Sequence, residues 1–185
     1  MKSTTLLLGT TGMLSAAAAH AVARSKKAVL VSRNADQFTF NNDVLDHKLV
    51  PVNVSYDNEA AFLDALAYHA PFDLALTWLR PPAEILRAAL DSMIAPKGKL
   101  VEVMGSRSLL LGKDGEASIA ERRAEALALQ TDLTYAQLIL GFVLEGGTSR
   151  WLTHDEISAA AIAQMEHPQP RLIAGVLEPW DARPE

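Results

Sequence analysis

Gly9-Thr10-Thr11-Gly12-Met13-Leu14 is the segment of this 185-residue chain whose residue types and spacing suit a phosphate anion. Leu6-Leu7-Leu8 before it reads as a short strand covered on both faces. Ser15 and the alanines after it read as a helix. Gly9 can take backbone angles closed to other residues, so the chain turns at once. Gly12 has no Cβ, so a phosphate oxygen can approach the backbone. The helix offers unpaired N–H groups and the positive end of its dipole. Strand, glycine turn and helix together build a cradle for a dinucleotide pyrophosphate. The spacing is G-x-x-G-x-x-S, with Ser15 standing where the full G-x-G-x-x-G fingerprint has its third glycine. Serine is small enough for close helix–strand packing. An ordinary strand–turn–helix without a ligand is the competing account.

A second apolar run, Val29-Leu30-Val31, ends at Ser32-Arg33-Asn34. Arg33 lies 24 residues after Gly9, close to the roughly 20 at which dinucleotide folds read the ribose. An acid there would repel a 2′-phosphate, whereas a guanidinium can pair with one. NADP, rather than NAD, is therefore the expected cofactor. A solvated arginine at a strand end is the alternative.

The amino-terminal stretch also carries features of a secretory leader: Met1-Lys2, an apolar run, and Ala21-Val22-Ala23. Gly9-Thr10-Thr11-Gly12 interrupts that run in its middle. Met13, Leu14, Ala17, Ala18, Ala21 and Val22 recur at helical spacing and form one apolar face. The intracellular reading is preferred on that pattern and on the lack of cysteine, and a cytoplasmic location is expected. A net charge of −5 and the lack of a Lys/Arg stripe argue against nucleic-acid binding. No apolar run approaches the ~20 residues of a membrane span. The 5 histidines show no metal-ligand spacing, so no metal site is expected.

Strand and helix patterns alternate along the rest of the chain. Strands are expected at 4–8, 28–32, 48–54, 72–78, 99–104, 136–144 and 171–177. Helices are expected at 12–24, 58–69, 81–95, 117–130 and 153–166. The third of these opens at Pro81-Pro82 and ends before Pro96-Lys97-Gly98. Thr153-His154-Asp155-Glu156 is a capping box, and 35–47 is mixed. The alternation implies right-handed βαβ units. The expected fold is a single α/β domain over residues 1–185. It is a doubly wound (Rossmann) parallel sheet of about seven strands with helices on both faces. Ligands bind such sheets beyond the strands' carboxyl ends, where strand order reverses. Thr77-Trp78-Leu79-Arg80 and Met104-Gly105-Ser106-Arg107 should face that crevice. Trp78 could wall off the nicotinamide side or fill core beneath it. Arg80 could receive an anion or stay solvated. Arg150 and Trp151, after Gly146-Gly147, could lie over the ligand or form a subunit contact.

In order and content these features resemble the short-chain dehydrogenase/reductase superfamily over nearly the whole chain. Gly9 to Leu14 resembles the glycine turn of its extended or atypical members, and Ser32-Arg33-Asn34 the NADP-selecting end of strand 2. Asn53-Val54 resembles the Asp-Val pair that contacts adenine, with Asn53 in place of the acid. Gly98-Lys99-Leu100-Val101-Glu102-Val103 resembles the fifth strand, which leads toward a catalytic serine. The tail, from Ser149 to Glu156 with Glu178-Pro179-Trp180, is similar to that of unusually short members. The resemblance implies cofactor contacts from Gly9, Thr10, Thr11, Gly12, Met13, Leu14, Ser32, Arg33, Asn34, Asn53, Val54, Thr77, Trp78 and Leu79.

Two departures bear on catalysis. The Asn-Asn-Ala-Gly of standard members is replaced by Thr77-Trp78-Leu79-Arg80. Their Tyr-x-x-x-Lys pair is absent: Tyr135 is followed four residues later by Ile139. A tyrosine without that lysine, near its ordinary pKa of ~10, exchanges protons poorly at neutral pH. Ser106 and Tyr135 are the candidate catalytic residues. Each has a plain alternative: Ser106 (or Ser108) as a loop serine, Tyr135 as a packed ring opening a strand. The expected function is an NADP(H)-dependent oxidoreductase acting on a small carbonyl or alcohol. The alternative is a silent NADP(H)-binding sensor or regulatory module. A homo-oligomer is compatible with the resemblance.

Overall fold

The computed structural model describes residues 3–80, 83–130 and 132–184. Met1, Lys2, Pro81 and Pro82, used above for the leader and for a helix start, lie outside the described residues. The chain begins β1 (Thr4–Leu8), α1 (Ser15–Arg24), β2 (Lys27–Ser32), α2 (Asp43–Asp46) and β3 (Leu49–Asn53). It continues through α3 (Glu59–Ala67), β4 (Phe72–Trp78), α4 (Glu84–Asp91) and β5 (Ile94–Gly105). Then come α5 (Ile119–Ala128), β6 (Thr134–Leu140), β7 (Phe142–Glu145), β8 (Thr148–Trp151), α6 (His154–Glu166) and β9 (Arg171–Ala174).

Seven strands make one parallel sheet in the order β3-β2-β1-β4-β5-β6-β9. Strand order reverses between β1 and β4. The expected seven-stranded doubly wound sheet is therefore present. Along β1 the side chains alternate: Leu7 packs under α1 and α6, whereas Leu6 and Leu8 pack under α3 and α4. That two-sided burial is why these strands read as unbroken apolar runs. α1 needs no large residues, because Ala17, Ala18 and Ala21 let it lie close to the sheet and to α6.

The largest departures from the expected element bounds lie around β5 and β6, while 35–47 is mixed as expected. α4 stops at Asp91, and β5 starts at Ile94 and runs through Pro96-Lys97-Gly98. Proline is tolerated there because the register against β4 slips between Phe72 and Leu74, leaving Pro96 and Lys97 unpaired. The strand expected over 136–144 breaks at Gly141, and the chain leaves the sheet to form the β7–β8 hairpin. Gly146 and Gly147, both with positive φ, make its two-residue turn. Within 35–47, a short 3-10 turn at Ala35–Gln37 precedes α2.

A charged network lies inside the helix-covered face. Glu102 in β5, 1% exposed, accepts from Arg87 Nε of α4 at 2.6 Å and from Arg123 Nε of α5 at 3.0 Å. Arg123 also makes a bidentate pair with Asp91 at 2.7 and 2.8 Å. Tyr135 of β6 donates to Glu102 at 2.7 Å, and Gln137 donates to the Tyr135 hydroxyl and to the Ala120 carbonyl. Two guanidiniums and two carboxylates thus balance in charge while joining α4, β5, α5 and β6. Burial lowers the Arg123 pKa, but the Asp91 hydrogen bonds and the Glu102 charge reverse this and raise it above its ordinary value. Removing one partner of such a set strands the rest without water. Glu102→Gln should lower urea-unfolding stability by about 3 kcal/mol, and Tyr135→Phe by about 1 kcal/mol. A loss under about 1 kcal/mol for Glu102→Gln would mean that water reaches the network.

Candidate functional site

The carboxyl ends of six adjacent strands converge on one crevice. Its first part, about 410 Å³, lies between the ends of β1, β2 and β3. Gly9, Thr11, Gly12, Met13, Ser32 and Arg33 line it, with Val54 to Asp57 opposite. Its second part, about 400 Å³, lies over the ends of β5 and β6, between Ser106 and His154. Its third, about 480 Å³, lies over Leu79, Met104, Ser108 and Ile119. Trp78 borders all three, and Met13 joins the first to the second. The crevice therefore crosses the strand-order reversal between β1 and β4.

Gly9 is required where it stands. Its φ is +70°, and a Cβ there would lie 2.4 Å from the Trp78 carbonyl oxygen. At Gly12 an added Cβ would meet nothing within 4 Å, so the space above it is open. α1 begins beyond this turn without a side-chain cap. The Ser15 N–H donates to the Gly12 carbonyl at 2.9 Å, which leaves the next N–H groups of the first turn for an anion. Trp78 reaches across the end of β5, with Cη2 3.8 Å from the position a Cβ would take on Gly105.

Several residues expected at the cofactor stand elsewhere. Thr10 is fully buried behind the turn, with its hydroxyl unpartnered. Leu14 is fully buried in the core under α1, and Thr77 is 2% exposed inside the sheet. Asn34 is exposed beside the crevice, its N–H bonded to Ser32 Oγ at 3.3 Å. Asn53 accepts from the Asp36 N–H at 3.1 Å and so ties β3 to the turn after β2. The expected residues that do line the crevice are Gly9, Thr11, Gly12, Met13, Ser32, Arg33, Val54, Trp78 and Leu79.

The two catalytic candidates separate. Ser106 begins the turn after β5 and lines the second cavity. Tyr135 stands near the amino end of β6, opposite Leu100, five residues before the carboxyl edge at Leu140. At ~3.3 Å per residue that is about 16 Å away. Burial, and then the Glu102 carboxylate, push its phenol well above the usual range. The structure does not bring Tyr135 to the crevice. Its position corrects the expectation: a strand whose helix-facing side chains serve the Glu102 network turns this ring away from the ligand edge. Arg150 is also placed. It grips Glu156 in a bidentate pair at 2.8 and 3.0 Å and so fastens the hairpin to the start of α6. The expected capping box between Thr153 and Glu156 is present.

Sequence reasoning missed the other wall of the second cavity. His154, Leu152 and Arg183 line it beside Trp151. The chain crosses itself here backbone on backbone: a Cβ on Gly141 would lie 2.2 Å from the Val176 carbonyl oxygen. Phe142 and Val176 exchange backbone hydrogen bonds of 2.8 and 3.0 Å at that crossing. The Gly141 and Gly175 positions were the available signal, and the tail beyond them carries Trp180 and Arg183.

No family model matches this chain, and no curated protein matches it. Solved structures do. A metagenomic short-chain oxidoreductase in complex with NADP is 16% identical, with a TM-score of 0.61 over 99% of this chain and 97% of that chain. A short-chain dehydrogenase from Rhodopseudomonas palustris is 14% identical, with a TM-score of 0.62 over 92% and 97%. A double mutant of a Serratia marcescens short-chain dehydrogenase/reductase is 12% identical, with a TM-score of 0.64 over 94% and 97%. The fold is the Rossmann fold of these short-chain enzymes. Among the described residues no helix is long and apolar enough to cross a membrane.

The Arg150–Glu156 clasp has a pH signature. The Arg150 hydrogen bonds, helped by the Thr153 N–H, hold the Glu156 carboxyl at about 2, below its ordinary 4.5. A depressed folded value contributes stability above about 4.5 that is lost as pH falls toward about 2. Thermal melts should therefore show the wild type losing midpoint faster than Glu156→Gln across that window. Parallel curves would mean that the clasp is open in solution.

Proposed function

We propose that this protein binds NADP(H) and acts as an oxidoreductase on a small carbonyl or alcohol. The observation that carries the reading is one cavity lined by Gly9, Gly12, Met13 and Arg33, with open space over Gly12 and the uncapped α1 starting two residues beyond Met13. These residues fit the cofactor. N–H groups at the start of α1 and around Gly12 would hold the pyrophosphate. Arg33 would pair with the 2′-phosphate, with no acid among Ser32, Arg33 and Asn34 to oppose it. Val54 to Asp57 would border the adenine. The nicotinamide would lie past Met13 and Trp78, toward Ser106. The NADP-bound neighbour of the same fold, though only 16% identical, points the same way.

When bound, the cofactor supplies or accepts a hydride. The chain's own residues supply position and proton contacts. The Ser106 hydroxyl can donate a hydrogen bond to a substrate oxygen over the end of β5. His154 lines the same cavity, and its imidazole can donate or accept a proton. Trp78, Leu140 and Ile157 keep this part of the crevice apolar, which strengthens each polar contact made there.

A second reading, binding without turnover, is favoured by one observation. The tyrosine nearest the expected catalytic position serves the Glu102 network instead. Calorimetric titration should give NADPH a lower Kd than NADH. Arg33→Glu should weaken NADPH by on the order of a hundredfold, about 2.7 kcal/mol, and NADH far less. Equal binding of the two cofactors would sink the NADP reading. Tight NADPH binding with no oxidation across a carbonyl panel would favour the sensor.

A further inference from the structure

Arginine pairing divides this chain into two sets. Arg24, Arg87, Arg122, Arg123 and Arg150 pair with carboxylates, and Arg171 donates to Gln137. The guanidiniums of Arg33, Arg80, Arg107 and Arg183 have no carboxylate or hydrogen-bond partner among the described residues. All four line the crevice. Arg33 and Arg80 border the part assigned to the cofactor. Arg183 borders only the second cavity, on the side formed by the tail.

Arg183 is held in place by more than solvent. Its Cζ lies 4.1 Å from the ring centre of Trp180 and 5.5 Å from that of Trp151. Two indole faces fix a guanidinium without neutralising it. Its Nε is buried and unpartnered, a costly state for a donor of a charged group. Among the described residues no Asp or Glu lines this cavity. A planar fork of N–H donors facing a largely apolar space fits a carboxylate, which it can grip in bidentate fashion. Arg107 lines the side near Ser106, and the other walls, Met13, Trp78, Leu140, Leu152 and Ile157, suit an apolar body.

We propose that the cavity between Ser106, His154 and Arg183 is the substrate site for a carboxylate-bearing alcohol or ketone with an apolar body. Its carboxylate sits on Arg183, and its oxygen to be protonated or deprotonated faces Ser106 and His154. Calling the ligand a substrate rests on the NADP(H) reading; the carboxylate site does not.

The test therefore reads the two separately. Calorimetry on the cofactor-free protein compares 4-phenylbutyrate with its neutral amide, and a separate titration measures NADPH. The acid should bind at least about tenfold tighter than the amide, a difference of about 1.4 kcal/mol. Arg183→Gln should abolish that preference while leaving the NADPH Kd within about twofold. Arg183→Lys, which keeps the charge but not the fork, should retain part of it. A circular dichroism melt checks that each variant folds, and Arg183→Lys decides the matter if Arg183→Gln does not. Equal binding of acid and amide, binding of neither, or a preference that survives Arg183→Gln would overturn the site. So would a tenfold loss of NADPH affinity in Arg183→Gln, which would give this guanidinium to the cofactor. A preserved acid preference without NADPH binding would support the carboxylate site and remove the cofactor reading alone.

Discussion

A carboxylate buried in the middle of a parallel sheet must be surrounded by donors, and Glu102 sets the terms for everything packed above it. β5 is otherwise apolar along this stretch, with Val101 and Val103 fully buried on the opposite face. Glu102 puts a charge where water cannot follow. Arg87, Arg123 and Tyr135 answer it from three different elements. Hydrophobic contact would let α4 and α5 slide over the sheet. A bidentate Arg123–Asp91 pair and two guanidinium contacts to one carboxylate allow little sliding. Against a purely apolar core such a set adds little net stability. What it supplies is registration of two helices against one strand.

That registration reaches the crevice. Arg87 Nη2 donates to the Leu79 carbonyl at 2.7 Å, just beyond the end of β4. Trp78, the residue before it, borders all three cavities, and its own carbonyl lies against Gly9. One buried arginine thus joins the core network to the strand end that separates the two halves of the crevice. The opposite wall is built differently. There the hairpin is fastened to α6 by Arg150, and the tail crosses the end of β6 where glycine alone permits the approach. One wall is fixed by ion pairs under helices and the other by backbone crossings, so the crevice is shaped from both sides before any ligand enters.

Much of the sheet was legible because two-sided burial leaves a plain mark. β1 and β4 match their expected bounds, and β2 and β3 match within one residue. The glycine turn was legible because positive φ and close approach leave few residue choices, as Gly9 bears out in both respects. Other features left weaker marks. Pro96 and Gly98 signal a helix end in isolation, yet a register slip lets a strand carry them. Gly146-Gly147 between short β-prone segments was the signal for the hairpin. Tyr135 misled because its type suggested chemistry, while its place in β6 is fixed by a carboxylate 33 residues earlier in the chain. Thr10 and Leu14 sit within the glycine motif, yet the turn sends both side chains inward. Arg183 could not be found at all by motif, since its meaning comes from two tryptophans that only the fold brings to it.

Pairing, rather than position in a motif, separates the two kinds of arginine in this molecule. A guanidinium keeps its charge at any physiological pH, so burial must be answered by a partner. Arg87 and Arg123 are answered within the protein, and their neighbours are locked as a result. Arg183 is screened by rings that cannot neutralise it, in a cavity with no acid among the described residues. The chain as a whole carries a formal net charge of −5, so carboxylates were plentiful for pairing. Among the described residues none lines the cavity beside this guanidinium, which leaves a positive potential inside an acidic protein. In a crevice lined mostly by apolar side chains that potential acts on what enters it more strongly than the same charge would on an open surface.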